Sequence, residues 1–297
     1  MESLTIEHKL TMHFFHATAA AAALLLATAA CGQEAHGPFE TKSLLGRSLY
    51  ALPDDGTIVS AREKLAASPK DTKLVVALSK AQAGRRQYQE AVITCTVGLK
   101  FAPDDAYLLL ERGHRELGLR EFSAAQKDLE RATKANPEQL EGFYHLGLAF
   151  YFQREFRLAA GSFRKALSLA KTPDGVIDCS NWLYVSLRRA GDKPAAAQVL
   201  ERISPDVHNI EPHLLFYLKL LHFYQGAASQ GEIFPPKPVA ADDVEGELSF
   251  DTVSYGVGNW HLYNGEAQAA RELFEPVVTG QAWNSWGFIG SELELLR

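Results

Sequence analysis

Among the 297 residues there is no G-x-S-x-G, no G-x-x-x-x-G-K-[S/T], no H-E-x-x-H and no C-x-x-C. The usual sequence marks of a serine nucleophile, a phosphate loop, a zinc protease and a paired-thiol centre are therefore missing. Cysteine is scarce. Cys95 and Cys179 both fall inside helical patterns and read as single buried thiols, because free cysteine packs as a small hydrophobe; no disulfide is expected between them. A basic excess is also lacking: the formal net charge is −6, so no general face is available to replace the counterions of a nucleic acid. Disorder is excluded by a composition that is 46% hydrophobic and 22% charged. His208 and His213 stand five apart around Pro212, which does not put them on one helical face as a metal pair requires. No metal, cofactor or catalytic residue is expected.

What is present is a repeat. Leu140 to Lys171, LEGFYHLGLAFYFQREFRLAAGSFRKALSLAK, carries two amphipathic helical periods around a short polar turn. Gly147, Ala159 and Ala166 stand where two antiparallel helices must cross closely. Such a hairpin cannot bury its own apolar face and needs stacked neighbours. Moving back 34 residues aligns Gly113, Ala125, Phe122 and Ala132 with Gly147, Ala159, Phe156 and Ala166, and a further step gives Ser79, Ala91, Tyr88 and Gly98. Pro69, Pro103 and Pro137 keep the same interval, each where a second helix has to stop.

This pattern resembles the tetratricopeptide repeat, best through Phe143, Leu146, Gly147, Phe150, Phe156, Ala159, Phe163 and Ala166. Arg112 stands where leucine is usual, and the first repeat carries Ser79 for glycine and Cys95 for the aromatic. The resemblance implies an all-α fold, an α-solenoid of helical hairpins wound as a right-handed superhelix, which grows sideways rather than around one core. In that setting the Arg112-Gly113-His114-Arg115 cluster has a structural or surface role.

Phe14 to Ala30 is an alanine- and leucine-rich run too short and too weakly apolar for a comfortable membrane span, and residues 1–30 have the shape of a secretory signal, with Met1 or Met12 as its start. Thr28-Ala29-Ala30-Cys31 resembles the bacterial lipobox, which implies acylation of Cys31 and a membrane-anchored lipoprotein. Plain cleaved secretion and an uncleaved anchor stay open as alternatives. Gly32 after the cysteine is similar to lipoproteins sent to the outer membrane, so the expected location is the periplasmic side of that membrane. Residues 31–52 then read as a polar tether.

The repeat array is expected over 53–205. It begins with a lone helix between Pro53 and Pro69 that caps the end and closes with a hairpin from Ile177 to Ile203. Residues 206–246 read as an apolar helix from about Glu211 to Tyr224 followed by a proline-containing irregular stretch. Over 247–297 the period returns, with Tyr255, Gly258, Ala270 and Phe274 at repeat positions and a closing helix between Trp283 and Leu296. This layout resembles that of NlpI-type outer-membrane lipoproteins, which implies an adaptor that brings murein hydrolases and proteases together.

In the tetratricopeptide family the inner face is lined by set positions of each first helix. Here those positions hold Tyr107, Leu110 and His114, then Tyr144, Leu148, Tyr151 and Phe152, with Tyr255, Asn259 and Tyr263 in the last repeat. Aromatic and aliphatic clusters left exposed mark binding surfaces, so these residues are expected to line a partner-binding groove; the alternative is that the helix near Glu211 or the carboxyl-terminal repeat folds back to cover them. Val76 and Tyr144 occupy positions where some members clamp a terminal carboxylate, so that clamp is absent, while Lys73, Lys80, Arg188 and Arg189 are available to frame an acidic partner. The function expected is a non-enzymatic, envelope-tethered scaffold for a protein or peptide partner. An outer-membrane or pilus assembly factor is the runner-up, and an enzyme with an unrecognised site is the rival.

Overall fold

Asp71 and Asp105 accept hydrogen bonds from the backbone amides of Lys73 and Tyr107 and so start two successive first helices 34 residues apart. From there the hairpins alternate. A computed structural model describes residues 37–204, 207–208, 210–235 and 243–297, and Pro38–Arg297 form one compact unit. The helices are α1 Thr57–Ala67, α2 Thr72–Gly84, α3 Tyr88–Phe101, α4 Ala106–Gly118, α5 Phe122–Ala135, α6 Leu140–Phe152, α7 Phe156–Leu169, α8 Pro173–Arg189 and α9 Lys193–Leu200. After a 3₁₀ turn at Pro212–Leu214 come α10 Leu215–Tyr224, the short α11 Gln230–Ile233, α12 Val244–Tyr263, α13 Ala267–Val277 and α14 Trp286–Leu295.

From α2 to α8 each helix packs on its neighbours in the chain, which makes the fold an all-α solenoid of helical hairpins. The crossing within each pair is as tight as the repeat pattern demands. A Cβ placed on Gly147 would meet the Phe163 ring at 2.7 Å, and one on Gly258 the Phe274 ring at 2.4 Å. Ala159, Ala166 and Phe163 are fully buried beside Gly147. Cys95 and Cys179 are free, buried thiols.

The turn between paired helices needs a left-handed residue. Gly191 and Gly265 supply it in the later pairs, but Arg86, Arg120 and Arg154 supply it in the first three, with φ of 55°, 67° and 66°. These arginines follow the same 34-residue period as the packing positions.

Three features differ from the sequence reading. The helix expected from Ile177 begins at Pro173, because Thr172 accepts from the Gly175 amide and proline suits the first helical turn. The helix expected from Glu211 opens with the 3₁₀ turn before α10. Most importantly, the described part of the expected tether is folded. β1 Phe39–Lys42 pairs antiparallel with β2 Ser48–Tyr50, and Leu49 is buried with Ala83, Tyr88, Leu119, Val277, Trp283 and Phe288. Arg47 Nη1 donates to the carbonyls of Val278 and Gly280 at 3.1 and 2.6 Å, and Trp283 Nε1 donates to Tyr50 O at 3.0 Å. The hairpin thus ties the first repeat to the far end of the chain. The signal segment and Cys31 lie outside the described residues.

Candidate functional site

The inner face of the array is occupied. Helix α14 and the inner side of α12 lie on the positions expected to line a groove, so residues expected at a solvent-facing groove are internal contacts. Tyr144 donates to Asp178 Oδ1 at 2.9 Å and packs edge-on against Phe163. Leu148 is fully buried. Tyr151 accepts from the Tyr255 hydroxyl at 3.1 Å and from Asn259 Nδ2, and its ring meets Phe156 and Trp182. Phe152 packs on Trp182 and Trp286.

The remaining predicted residues divide. Leu110, Tyr255 and Asn259 are buried, and Asn259 also accepts from Arg189 Nη1 at 2.8 Å. His114 stacks on His145 with ring centroids 4.0 Å apart and lies against Trp286. Tyr263 is half-buried beneath the Arg188 guanidinium, 4.1 Å from its ring centre. Tyr107 remains open, at 57% exposure. The reading of an open groove along Leu110, Tyr144, Leu148, Tyr151, Phe152, Tyr255 and Asn259 is therefore corrected. An uncovered aromatic face of that extent is costly in water, and the chain covers it itself.

The residues that sequence reasoning missed are the left-handed arginines. Arg86 donates to Gln281 O at 2.7 Å. Arg120 donates to Glu292 Oε2 through Nε at 3.1 Å and through Nη2 at 2.9 Å, and Nη2 also reaches Trp283 O at 2.9 Å. Arg154 lies 3.8 Å from Glu294, and Arg189 bonds the same carboxylate at 2.8 Å. Of the four cations expected to frame an acidic partner, Arg189 thus has one within its own chain, and Lys80 has another in Glu111 at 3.4 Å. The signal was present in the sequence as arginine at 34-residue spacing in a turn that elsewhere holds glycine.

Helix α14 is enclosed. No residue from Trp286 to Leu295 is exposed. Gly287 lets the helix approach α12 so closely that a Cβ would sit 2.4 Å from Asp251 O. On the opposite side Glu292 is 0% exposed. Burial raises its carboxyl above the ordinary range, while the Arg120 guanidinium pulls the other way.

Burial shapes the other ionisable groups here as well. It pushes Asp178 up to about 7 against the Tyr144 hydrogen bond, and Asp251 up to about 8 against the Ser285 hydroxyl. It drives His145 down to about 4 and His114 well below the usual imidazole range. The Cys95 thiol is pushed up to about 11 and Cys179 higher still, so neither offers a thiolate near neutrality. Among the described residues no group of three or more His, Cys, Asp or Glu is placed to hold a metal ion. The arrangement is suited to holding a helix through apolar contacts and charge-assisted hydrogen bonds.

In sequence the chain matches no family model and none of the curated proteins. In structure it is similar to MamA, at 20% identity over 50% of this chain and 84% of that one with a TM-score of 0.44. A tetratricopeptide repeat protein from Parabacteroides merdae is similar at 18% identity over 80% of this chain and 90% of that one, with a TM-score of 0.48. YrrB, a TPR protein with an unusual peptide-binding site, is similar at 12% identity over 74% of this chain and 91% of that one, with a TM-score of 0.44.

Proposed function

We propose that the protein is a non-enzymatic interaction scaffold, tethered to the cell envelope through an acylated Cys31, that holds a protein or peptide partner on its repeat array. The observation that carries the scaffold reading is the stack of hairpins itself, in which each helix from α2 to α8 packs on its sequence neighbours. Solenoids of this kind present extended surfaces for binding, and Tyr107 stays open on the array at 57% exposure.

The tether is supported by the Thr28-Ala29-Ala30-Cys31 pattern, and acyl chains at one cysteine give stable anchoring when two or more enter the bilayer. An adaptor for envelope enzymes, in the manner of the NlpI-type layout, is the form of scaffold that this location favours. Metabolic labelling with a fatty-acid probe tests the tether: label on the wild type and none on Cys31→Ala is expected, and equal labelling of both overturns it. Affinity capture from detergent-solubilised envelope, repeated with the purified candidate partner, tests the scaffold. Turnover of cell-wall or peptide substrates by the purified protein alone would overturn the non-enzymatic reading.

A further inference from the structure

We propose that the groove between α7 and the turn joining α8 to α9 is a docking site for an extended, carboxylate-bearing segment of a partner protein. This rests on the scaffold reading and names the chemistry of its partner. The same groove recurs at three successive steps of the array, and it is filled at the first, closed at the second and open at the third.

At each step the groove lies between the start of a second helix and the residue just after the next first helix. The equivalent sets are Gln89 and Val92 of α3 with Leu119, Ser123 and Gln126 of α5 with Gln153, and Arg157 and Ala160 of α7 with Ala190. At the first step the chain's own strand β1 docks. The Glu40 carboxylate accepts from the Gln89 amide at 2.9 Å, and Gln89 Nε2 donates to the Glu40 carbonyl. Val92 and Leu119 join the apolar cluster that holds Leu49. At the second step side chains close the groove in a ladder. Ser123 Oγ donates to Gln153 Oε1 at 3.1 Å, Gln153 Nε2 to Gln126 Oε1 at 2.8 Å, and Gln126 Nε2 to Glu130 Oε1 at 2.8 Å.

At the third step the rungs are gone. Alanines 160 and 190 take the places of Gln126 and Gln153, while Arg157 and Arg164 take those of Ser123 and Glu130. A groove of about 440 Å³ remains, with Ala160, Leu187 and Ala190 among its lining and both arginines on its side. Both arginines are exposed, and neither makes a hydrogen bond, ion pair or ring contact with another described residue. The charge around them has one dominant sign. Helices α7 and α9 contain no acidic residue and together carry Arg157, Arg164, Lys165 and Lys193, in a chain whose formal net charge is −6. Asp192 also lines the groove, but its carboxylate is engaged in capping α9 through the Ala195 amide at 3.1 Å; Glu155 precedes α7.

Guanidinium groups pair with carboxylates through two parallel hydrogen bonds. The occupant that complements this groove is therefore acidic, as Glu40 is at the first step. Arg157 and Arg164 stand seven residues apart on one helix, about 10.5 Å along its axis. Side chains four apart on one face of an extended segment are separated by about 13 Å, a difference that the long arginine side chains span. The segment thus carries two carboxylates four residues apart, with small or apolar residues between them over the alanines and Leu187.

The test uses the full chain and a fluorescein-labelled synthetic peptide, blocked at both ends, with two glutamates four residues apart and alanine and leucine between them. Fluorescence anisotropy is expected to show binding by the wild type. Arg157→Gln with Arg164→Gln should weaken it at least about tenfold, the scale of losing charge-assisted hydrogen bonds. Ala190→Gln, which restores a side chain that closes the groove one step earlier, should weaken it as well. Lys127→Gln with Lys134→Gln removes the same charge from exposed positions on α5 and should leave binding unchanged. A peptide with glutamine in place of both glutamates should bind the wild type at least about tenfold less, a comparison that requires no variant to fold.

No binding by the wild type overturns the proposal, as does binding that the arginine pair does not affect or that the lysine pair weakens equally. Phosphatidylglycerol vesicles held through the two arginines, with the peptide ignored, overturn it in favour of a lipid surface. A dimer that the arginine substitutions dissociate overturns it in favour of a second copy. Capture of a purified partner that is indifferent to both arginines overturns the groove and leaves the scaffold reading standing. Peptide binding through the arginines with no partner captured from the envelope overturns the scaffold reading and supports the groove.

Discussion

At the scale of single residues, Arg120 shows how one position carries two opposing terms. Its left-handed backbone costs about 1 kcal/mol, and its guanidinium neutralises a Glu292 carboxylate that has no access to water. Arg120→Gly relieves the first term and strands the carboxylate, and breaking a buried pair costs about 3–5 kcal/mol. A net loss of about 2–4 kcal/mol is expected by urea denaturation. Arg86 has the same backbone strain, but it donates to a backbone carbonyl, Gln281 O, at an exposed site. Arg86→Gly should therefore fall within about 1 kcal/mol of wild type, since one charge-assisted bond is lost and comparable strain removed. If the two variants rank the other way, the role assigned to the Arg120–Glu292 pair is wrong.

At the scale of elements, α6 differs from an ordinary half-exposed helix because both of its long faces are buried. Toward α7 it presents Gly147 to the Phe163 ring, and toward the carboxyl-terminal helices it presents Tyr151 and Phe152. Replacing Tyr144 and Tyr151 together with alanine would leave the fold nearly intact if these rings faced solvent. In this packing the double variant loses two buried aromatic rings, each worth about 3–5 kcal/mol in a core, and leaves Asp178 without its Tyr144 donor and Asn259 without the Tyr151 hydroxyl. A fall of many degrees in melting temperature is expected. A shift of only a degree or two would show that the inner face is open in solution.

At the scale of the whole molecule, the buried carboxyls set the response to pH. Burial raises Asp251 from 3.8 to about 8, Asp178 from 3.8 to about 7 and Glu116 from 4.5 to about 7. Each binds its proton more tightly in the native state than in the unfolded chain. Their contribution is complete below the unfolded values and is lost as pH rises through about 7 to 8. His145, lowered from 6.5 to about 4 by burial, acts in the opposite sense. Its contribution is complete above 6.5 and is lost as pH falls toward 4. The groups acting on these two sets are Glu247 and the Ser285 hydroxyl at Asp251, Tyr144 at Asp178, Asp128 and Arg112 at Glu116, and Arg115 and Glu111 at His145. Melting temperature should therefore fall as pH is raised from 6.5 to 8.5, where these carboxyls titrate in the native state and His145 is already neutral. Asp251→Asn, which stays neutral throughout, should flatten part of that slope; a melting temperature that rises over the same interval contradicts the assignment.

The repeats were legible in the amino-acid order because each hairpin packs on its sequence neighbours. The positions that must be small or aromatic therefore recur every 34 residues, as at Gly113 and Gly147 or Phe122 and Phe156. Local packing of that kind needs no knowledge of distant chain. The arginines at 86, 120 and 154 keep the same interval and were readable in principle, since the turn they occupy holds glycine in later pairs. The folded hairpin at 39–50 was not readable as such, because its short strands draw their burial from Tyr88, Trp283 and Phe288 rather than from each other. Whether the inner face was a groove or a core was likewise beyond local sequence. Tyr151 and Tyr255 meet across 104 residues, and an aromatic side chain serves equally well as a binding anchor and as a core residue. Only the closure of α12 and α14 over the array, with Glu292 and Glu294 meeting Arg120 and Arg189, decided between them.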